Sequence, residues 1–116
     1  MFKEEIGELL ELLDEIKDKT IIVEGKRDKE ALCSFGLKNV ITLHKGLYET
    51  AESLKSREVV ILTDFDREGK GIAKKLNKIL QSLGYKVDKE SRRKISFLFS
   101  RLRIKKIEEL RGVIHE

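Results

Sequence analysis

Four carboxylates in this chain stand where packing gives no reason for them. Glu24 closes the apolar run Thr20 to Val23 and is followed at once by Gly25, a poor arrangement for burial and a good one for chemistry. Asp64 and Asp66 stand where a second apolar run, Glu58 to Thr63, gives out, and Glu68 follows them. Two carboxylates about 5 Å apart repel by roughly 3 kcal/mol at an effective dielectric near 20, so a cluster of them needs either protons or a cation. Mg²⁺, with Mn²⁺ as an alternative, is the natural partner, because a hard octahedral ion takes one or two carboxylates plus waters and substrate phosphates. Such an ion neutralises a phosphoryl oxygen while a neighbouring glutamate handles protons. Asp66 also suits the cap of a following helix, and Glu68 the positive end of that helix, so a structural role for each stays open.

The flanking pattern says how these residues are positioned. Ile6, Leu9, Leu10, Leu13 and Ile16 recur at helical spacing and predict an opening amphipathic helix. The period then changes, and Thr20 to Glu24 reads as a buried parallel strand. A helix over Lys26 to Phe35, with Cys33 as a small core residue, stops at Gly36 and leads to a strand at residues 39–43. After a turn at His44 to Gly46, a helix over Leu47 to Leu54 precedes a central strand at residues 58–63, and Arg67 to Leu83 forms the next helix. A basic helix over Asp88 to Leu102 turns Ile95, Leu98, Phe99 and Leu102 inward, and a last strand is expected near Ile104 to Ile107. Alternating strands and helices predict an α/β fold, a small doubly wound, Rossmann-like, mainly parallel sheet of about four strands with helices on both faces. In such sheets ligands bind at the carboxyl ends of the strands, where Glu24, Asp64 and Asp66 fall.

Length and composition bound the function. With 116 residues there is room for one domain over 1–116, and no apolar run approaches the roughly 20 residues needed to cross a bilayer. The N-terminal segment lacks the features of a signal peptide, so a cytoplasmic protein is expected. A single cysteine, Cys33, excludes an internal disulfide, a zinc cluster and a CxxC redox pair within the chain. Charged residues reach 40% while amides are confined to Asn39, Asn77 and Gln81, a bias suited to a thermophile. The net charge of +4 is unevenly placed: from Lys89 to Lys106 eight basic residues accompany one acidic, Glu90, and the remainder is net acidic. A polyanion is therefore expected near the C-terminal segment.

The segments IIVEGKRDKEAL and VVILTDFDREGKGIAKKL, with Gly46 between them, closely resemble the paired motifs of the Toprim domain, shared by primases, topoisomerases and several nucleases. The resemblance covers about residues 20–87. It implies that Glu24 acts as general acid or base, that Asp64 and Asp66 hold the divalent metal with Glu68 as a helper, and that Gly25, Lys26 and Arg67 lie beside the phosphate. Lys26 and Asp28 match positions of the nuclease-like members. From the residues themselves, Lys26 is suited to a phosphate at a helix N-terminus, and equally to a solvated surface.

Departures from the family restrict the function. Only Tyr48 and Tyr85 are present, neither in a separate strand-passing domain, which argues against a topoisomerase, and one cysteine cannot build the zinc module of similar primases. The chain is most similar to free-standing small Toprim proteins, so a Mg²⁺-dependent nuclease acting on DNA or structured RNA is expected. The alternatives are a nucleic-acid-binding module without turnover, working in a larger complex, and a nucleotide-sensing regulatory domain. On the basic helix, Arg93, Lys94, Phe97 and Arg101 share an outward face on which a base could stack between phosphate contacts, and which would equally serve a homodimer. His44 and His115 lack companions and are assigned no role.

Overall fold

The computed structural model describes residues 2–114, so His115 lies outside the described residues. Helix α1 (Lys3–Ile16) leads to β1 (Thr20–Val23), α2 (Lys26–Ser34), β2 (Asn39–Thr42), α3 (Leu47–Glu52) and β3 (Glu58–Ile61). Then come α4 (Arg67–Ser82), β4 (Lys86–Val87), α5 (Lys89–Arg101), a 3₁₀ turn (Ile107–Glu109) and α6 (Leu110–Ile114). The four strands are parallel, in the order β2-β1-β3-β4. This is the α/β architecture that the alternation of periods predicts.

Right-handed crossovers explain which helix covers which face. The step from β1 to β2 runs one way along the sheet and places α2 on one side. The steps from β2 to β3 and from β3 to β4 run the other way, so α3 and α4 fall on the opposite side. Burial follows this division. Ile21, Val23, Val40, Val60 and Leu62 pack with Leu9, Leu13 and Ile16 of α1, Leu32 of α2, and Ile95, Leu98 and Phe99 of α5. Ile22, Val59 and Ile61 pack on the other face with Ala51 of α3 and Ala73, Leu76 and Leu80 of α4. Every β1 residue is buried because both faces are covered, which is why the strand reads as a continuous apolar run.

Several sequence expectations are corrected. Leu10 is 40% exposed, since Leu9, Leu13 and Ile16 define the inward face of α1 and Leu10 lies about 100° round the helix from Leu9. Cys33 is exposed, because α2 buries Asp28, Ala31 and Leu32 and turns Cys33 to solvent. The fourth strand is Lys86–Val87, too short to leave a period in the sequence. No strand forms at Ile104 to Ile107. There α5 ends in a turn in which Arg103 N–H donates to Ser100 O (3.2 Å) and Ile104 N–H to Phe99 O (3.0 Å), and the chain passes over the carboxyl edge of the sheet with Ile104 and Ile107 buried. Paired bonds of this kind close a helix through a left-handed residue, here Arg103 with φ 59°.

The contact that sets α4 against β3 is made by Gly69. A β-carbon there would sit 2.6 Å from the Asp64 carbonyl carbon and closer still to its oxygen, so only glycine permits the approach. Thr63 Oγ1 donates to Gly69 O at 2.7 Å and fastens the same contact. Gly69→Ala should therefore destabilise the fold by about 3 kcal/mol, measured by urea denaturation, because backbone rather than a flexible side chain must move.

Candidate active site

With β1 flanked by β2 on one side and β3 on the other, the connections leaving β1 and β3 depart to opposite faces, and a cleft opens between their carboxyl ends. Glu24 follows β1 and Asp64 follows the buried extension of β3, and the two meet across it: Glu24 Oε2 accepts the Asp64 backbone N–H at 2.8 Å. Asp64 Oδ1 accepts the Ile107 N–H at 2.9 Å, from the segment crossing the edge of the sheet. Asp28, in the first turn of α2, is 8% exposed and accepts the Gly25 N–H at 3.1 Å. Together with Gly25, Lys26, Arg27, Lys106 and Glu108, these three carboxylates line an open cleft of about 360 Å³.

All three carboxyls are raised in pKa from their ordinary values. For Glu24 burial is the main cause, opposed by the Asp64 N–H and reinforced by the charges of Asp64, Asp66 and Asp28. For Asp28 burial again leads, followed by the charge of Asp64. For Asp64 burial leads, the Ile107 N–H opposes it, Asp66 and Glu108 push upward, and Lys106 pulls down.

Asp66 caps α4, its Oδ1 accepting the Gly69 N–H at 2.8 Å, as the structural reading of that residue anticipates, while the carboxylate stays close enough to push on Glu24 and Asp64. Arg67 and Glu68 are exposed on the first turn of α4 and do not line the cleft. Among the described residues no three His, Cys, Asp or Glu side chains form a ready-made metal cage. The donor set nonetheless fits Mg²⁺: it offers hard oxygens only, its members raise one another's pKa, and this ion is ordinarily held by one or two carboxylates with waters and substrate oxygens completing the shell.

Sequence reasoning did not single out Arg92. Its guanidinium donates to Ile61 O and Thr63 O at 3.0 Å each and to Asp64 O at 3.4 Å, and lies over the Phe65 ring with Cζ 4.6 Å from its centroid. Burial brings its pKa down to about 10, with the charges of Glu24 and Asp64 opposing that fall, so it stays cationic at neutral pH. In the sequence it is one cation among many in the C-terminal segment. Asp28 is signalled in the sequence only by its match to the nuclease-like members, and Lys106 only by its charge.

The other expected nucleic-acid contacts lie elsewhere. Arg93, Lys94 and Phe97 border a groove between α5 and α1, facing Glu8, Glu11 and Glu15, and Phe97 is 61% exposed. Arg93 pairs with Glu90 and Arg101 with Glu5 at 3.2 Å. The acidic face of α1 thus offsets much of the charge counted there.

A parallel sheet in this order, with Glu24, Asp64 and Asp66 at its switch point, defines a small Rossmann-like α/β domain. A Toprim domain model matches residues 19–98, and the chain belongs to the Toprim domain family. Membership supports a nucleic-acid-related function of the Toprim type. An Archaeoglobus fulgidus UPF0292 protein is 38% identical over 112 residues, covering 92% of this chain and 90% of the relative. A Methanosarcina barkeri UPF0292 protein is 42% identical over 113 residues, covering 92% of this chain and 78% of the relative. A solved structure of a protein from Aquifex aeolicus superposes with a TM-score of 0.71 at 34% identity, covering 94% of this chain and 97% of that one. Among the described residues no helix is long and apolar enough to cross a membrane.

Because the native state holds extra protons on Glu24, Asp28 and Asp64, stability should fall as pH rises from the ordinary carboxylate pKa through their raised values. Asp64→Asn keeps an acceptor for the Ile107 N–H and removes a charge, so thermal unfolding of the metal-free protein near pH 7 should shift upward by about 1 kcal/mol, roughly 4 °C. Arg92→Leu leaves three carbonyls without their donor and should cost about 2–3 kcal/mol in urea denaturation.

Proposed function

We propose that this protein is a Mg²⁺-dependent enzyme acting on nucleic-acid phosphodiesters, most simply a nuclease. The observation that carries this reading is the meeting of Glu24 and Asp64 across the β1/β3 fork, each with its carboxyl pushed upward by burial and by neighbouring carboxylates. A Mg²⁺ ion held by Asp64 and Asp66 would neutralise charge on a phosphoryl oxygen, and Glu68, solvated on α4, would act through water.

The chain's own residues account for the rest. Gly25 lets the backbone come close at the start of α2, and Lys26, with Lys106 across the cleft, supplies positive charge for the phosphate. Asp64 N–H holds Glu24 Oε2 and so fixes the carboxyl in the cleft. Burial and the neighbouring carboxylates raise the Glu24 pKa from its ordinary value, the direction that makes its carboxylate a better proton acceptor. In hydrolysis an oxygen–phosphorus bond forms from water, the phosphorus–ester oxygen bond breaks, and the proton taken from water by Glu24 passes to the departing oxygen.

The test is incubation of labelled DNA and RNA with the protein, with Mg²⁺ and with chelator. Cleavage that needs Mg²⁺ and falls at least about 100-fold in Glu24→Gln, with folding intact by circular dichroism, is the expected result. Binding without cleavage would instead favour a binding module, and tight uptake of free nucleotide alone would favour a sensor.

A further inference from the structure

The segment that crosses the carboxyl edge of the sheet divides two surfaces. Lys106 lines the carboxylate cleft, whereas its neighbour Lys105 lines a separate pocket of about 300 Å³ on the other side of the Asp64–Asp66 loop. Phe65, between the two aspartates, forms a wall of that second pocket, and its N–H donates to Lys105 O at 2.7 Å. The remaining lining is Lys70, Ser96, Phe99, Ser100, Arg103 and Ile104. Three cations and two hydroxyls therefore face one concavity whose lining contains no carboxylate. Among the described residues Lys70, Arg103 and Lys105 take part in no ion pair within 4 Å, unlike Arg93 and Arg101 on the α1 side. Glu109 is spent on the backbone N–H groups of Lys105 and Lys106, at 3.3 and 2.9 Å.

Arg103 adds an independent observation. It occupies the left-handed position after α5, with φ 59°, where glycine is the favoured residue and any side chain is strained. Both closing hydrogen bonds of that turn would form equally well around glycine. An arginine at a position where the backbone favours glycine points to a use for its side chain, and that side chain lines the pocket.

We propose that Lys70, Arg103 and Lys105 form a subsite for the backbone phosphate of a polynucleotide strand, next to the carboxylate cleft and across Phe65 from it. The strand passes over the edge of the sheet, with Lys106 and Lys26 on one side of the Asp64–Asp66 loop and the subsite on the other. This rests on the proposed nuclease function and extends it, since it assigns the substrate a polymeric backbone reaching beyond the reacting phosphodiester. It also moves the main polyanion contact from the α1-facing side of α5 to the helix's C-terminal end.

The test measures binding without turnover: fluorescence anisotropy of labelled single-stranded DNA and RNA, in chelator, over a range of salt concentrations. The combined variant Lys70→Ala/Arg103→Gly/Lys105→Ala should bind at least about tenfold more weakly, with a salt slope shallower by about 0.7 for each phosphate that is no longer neutralised. Arg103→Gly alone should weaken binding while melting at the same or a higher temperature, which a merely structural arginine would not do. Lys38→Ala/Lys55→Ala, which removes exposed lysines preceding β2 and β3 at the opposite edge, should leave affinity nearly unchanged. Unchanged affinity and slope in the combined variant would overturn the subsite while leaving Glu24-dependent cleavage standing. An equal loss in the Lys38/Lys55 control, or equally tight binding of inorganic phosphate, would also overturn it. A wild-type protein that bound no polynucleotide would overturn the subsite and the proposed function together.

Discussion

Asp64 is gripped from two directions, its amide donating to Glu24 Oε2 and its carboxylate accepting from Ile107. Those two bonds join β1, β3 and the C-terminal crossing segment at a point where Glu24, Asp28, Asp64 and Asp66 repel one another. The energetic consequence is visible in the upward displacement of the Glu24, Asp28 and Asp64 carboxyls, with burial the larger cause and mutual charge the smaller. A cleft of this kind stores unfavourable electrostatic energy that protons or a cation release. Crowding the carboxylates in this way costs the metal-free fold stability.

The surrounding structure holds that arrangement by backbone contacts. Gly69 lets α4 come down onto the Asp64 backbone, Thr63 fastens it, and Asp66 caps the helix. On the other face Arg92 gathers the carbonyls of Ile61, Thr63 and Asp64 at a place where the strand has run out of sheet partners. A half-buried cation beside a group of carboxylates also offsets part of their mutual repulsion without pairing with any one of them. Phe65, packed edge-to-face against Phe99 and beneath Arg92, anchors the loop between the two aspartates in the core.

Most of the fold was legible along the chain because its strands are covered on both faces. Such strands appear as short β-branched runs, set off from helices whose apolar residues recur at wider spacing, and β1, β2 and β3 were each visible in this way. A two-residue edge strand has no period, so β4 was not, and the buried Ile104 and Ile107 suggested a strand where a helix-closing turn and a 3₁₀ turn occur. Cys33 and Leu10 were misplaced because a residue one step from the core-facing stripe differs from it by about 100° of helix rotation, too little to resolve in a short helix.

The order of residue types along the chain was sufficient to place Glu24, Asp64 and Asp66 at strand ends, since a carboxylate directly after a buried strand is informative wherever the rest of the chain folds. Lys26 and Gly25 followed from the same turn. Which cations serve that cleft was decided only by tertiary structure. Net charge along the C-terminal segment is one-dimensional, whereas the cations divide in space: Arg93 and Arg101 pair with glutamates, Arg92 is half-buried against the β3 loop, and Lys106 reaches the cleft. Electrostatic partners act through distance in folded space, and that distance depends on how α1 and α5 pack, which no local pattern records.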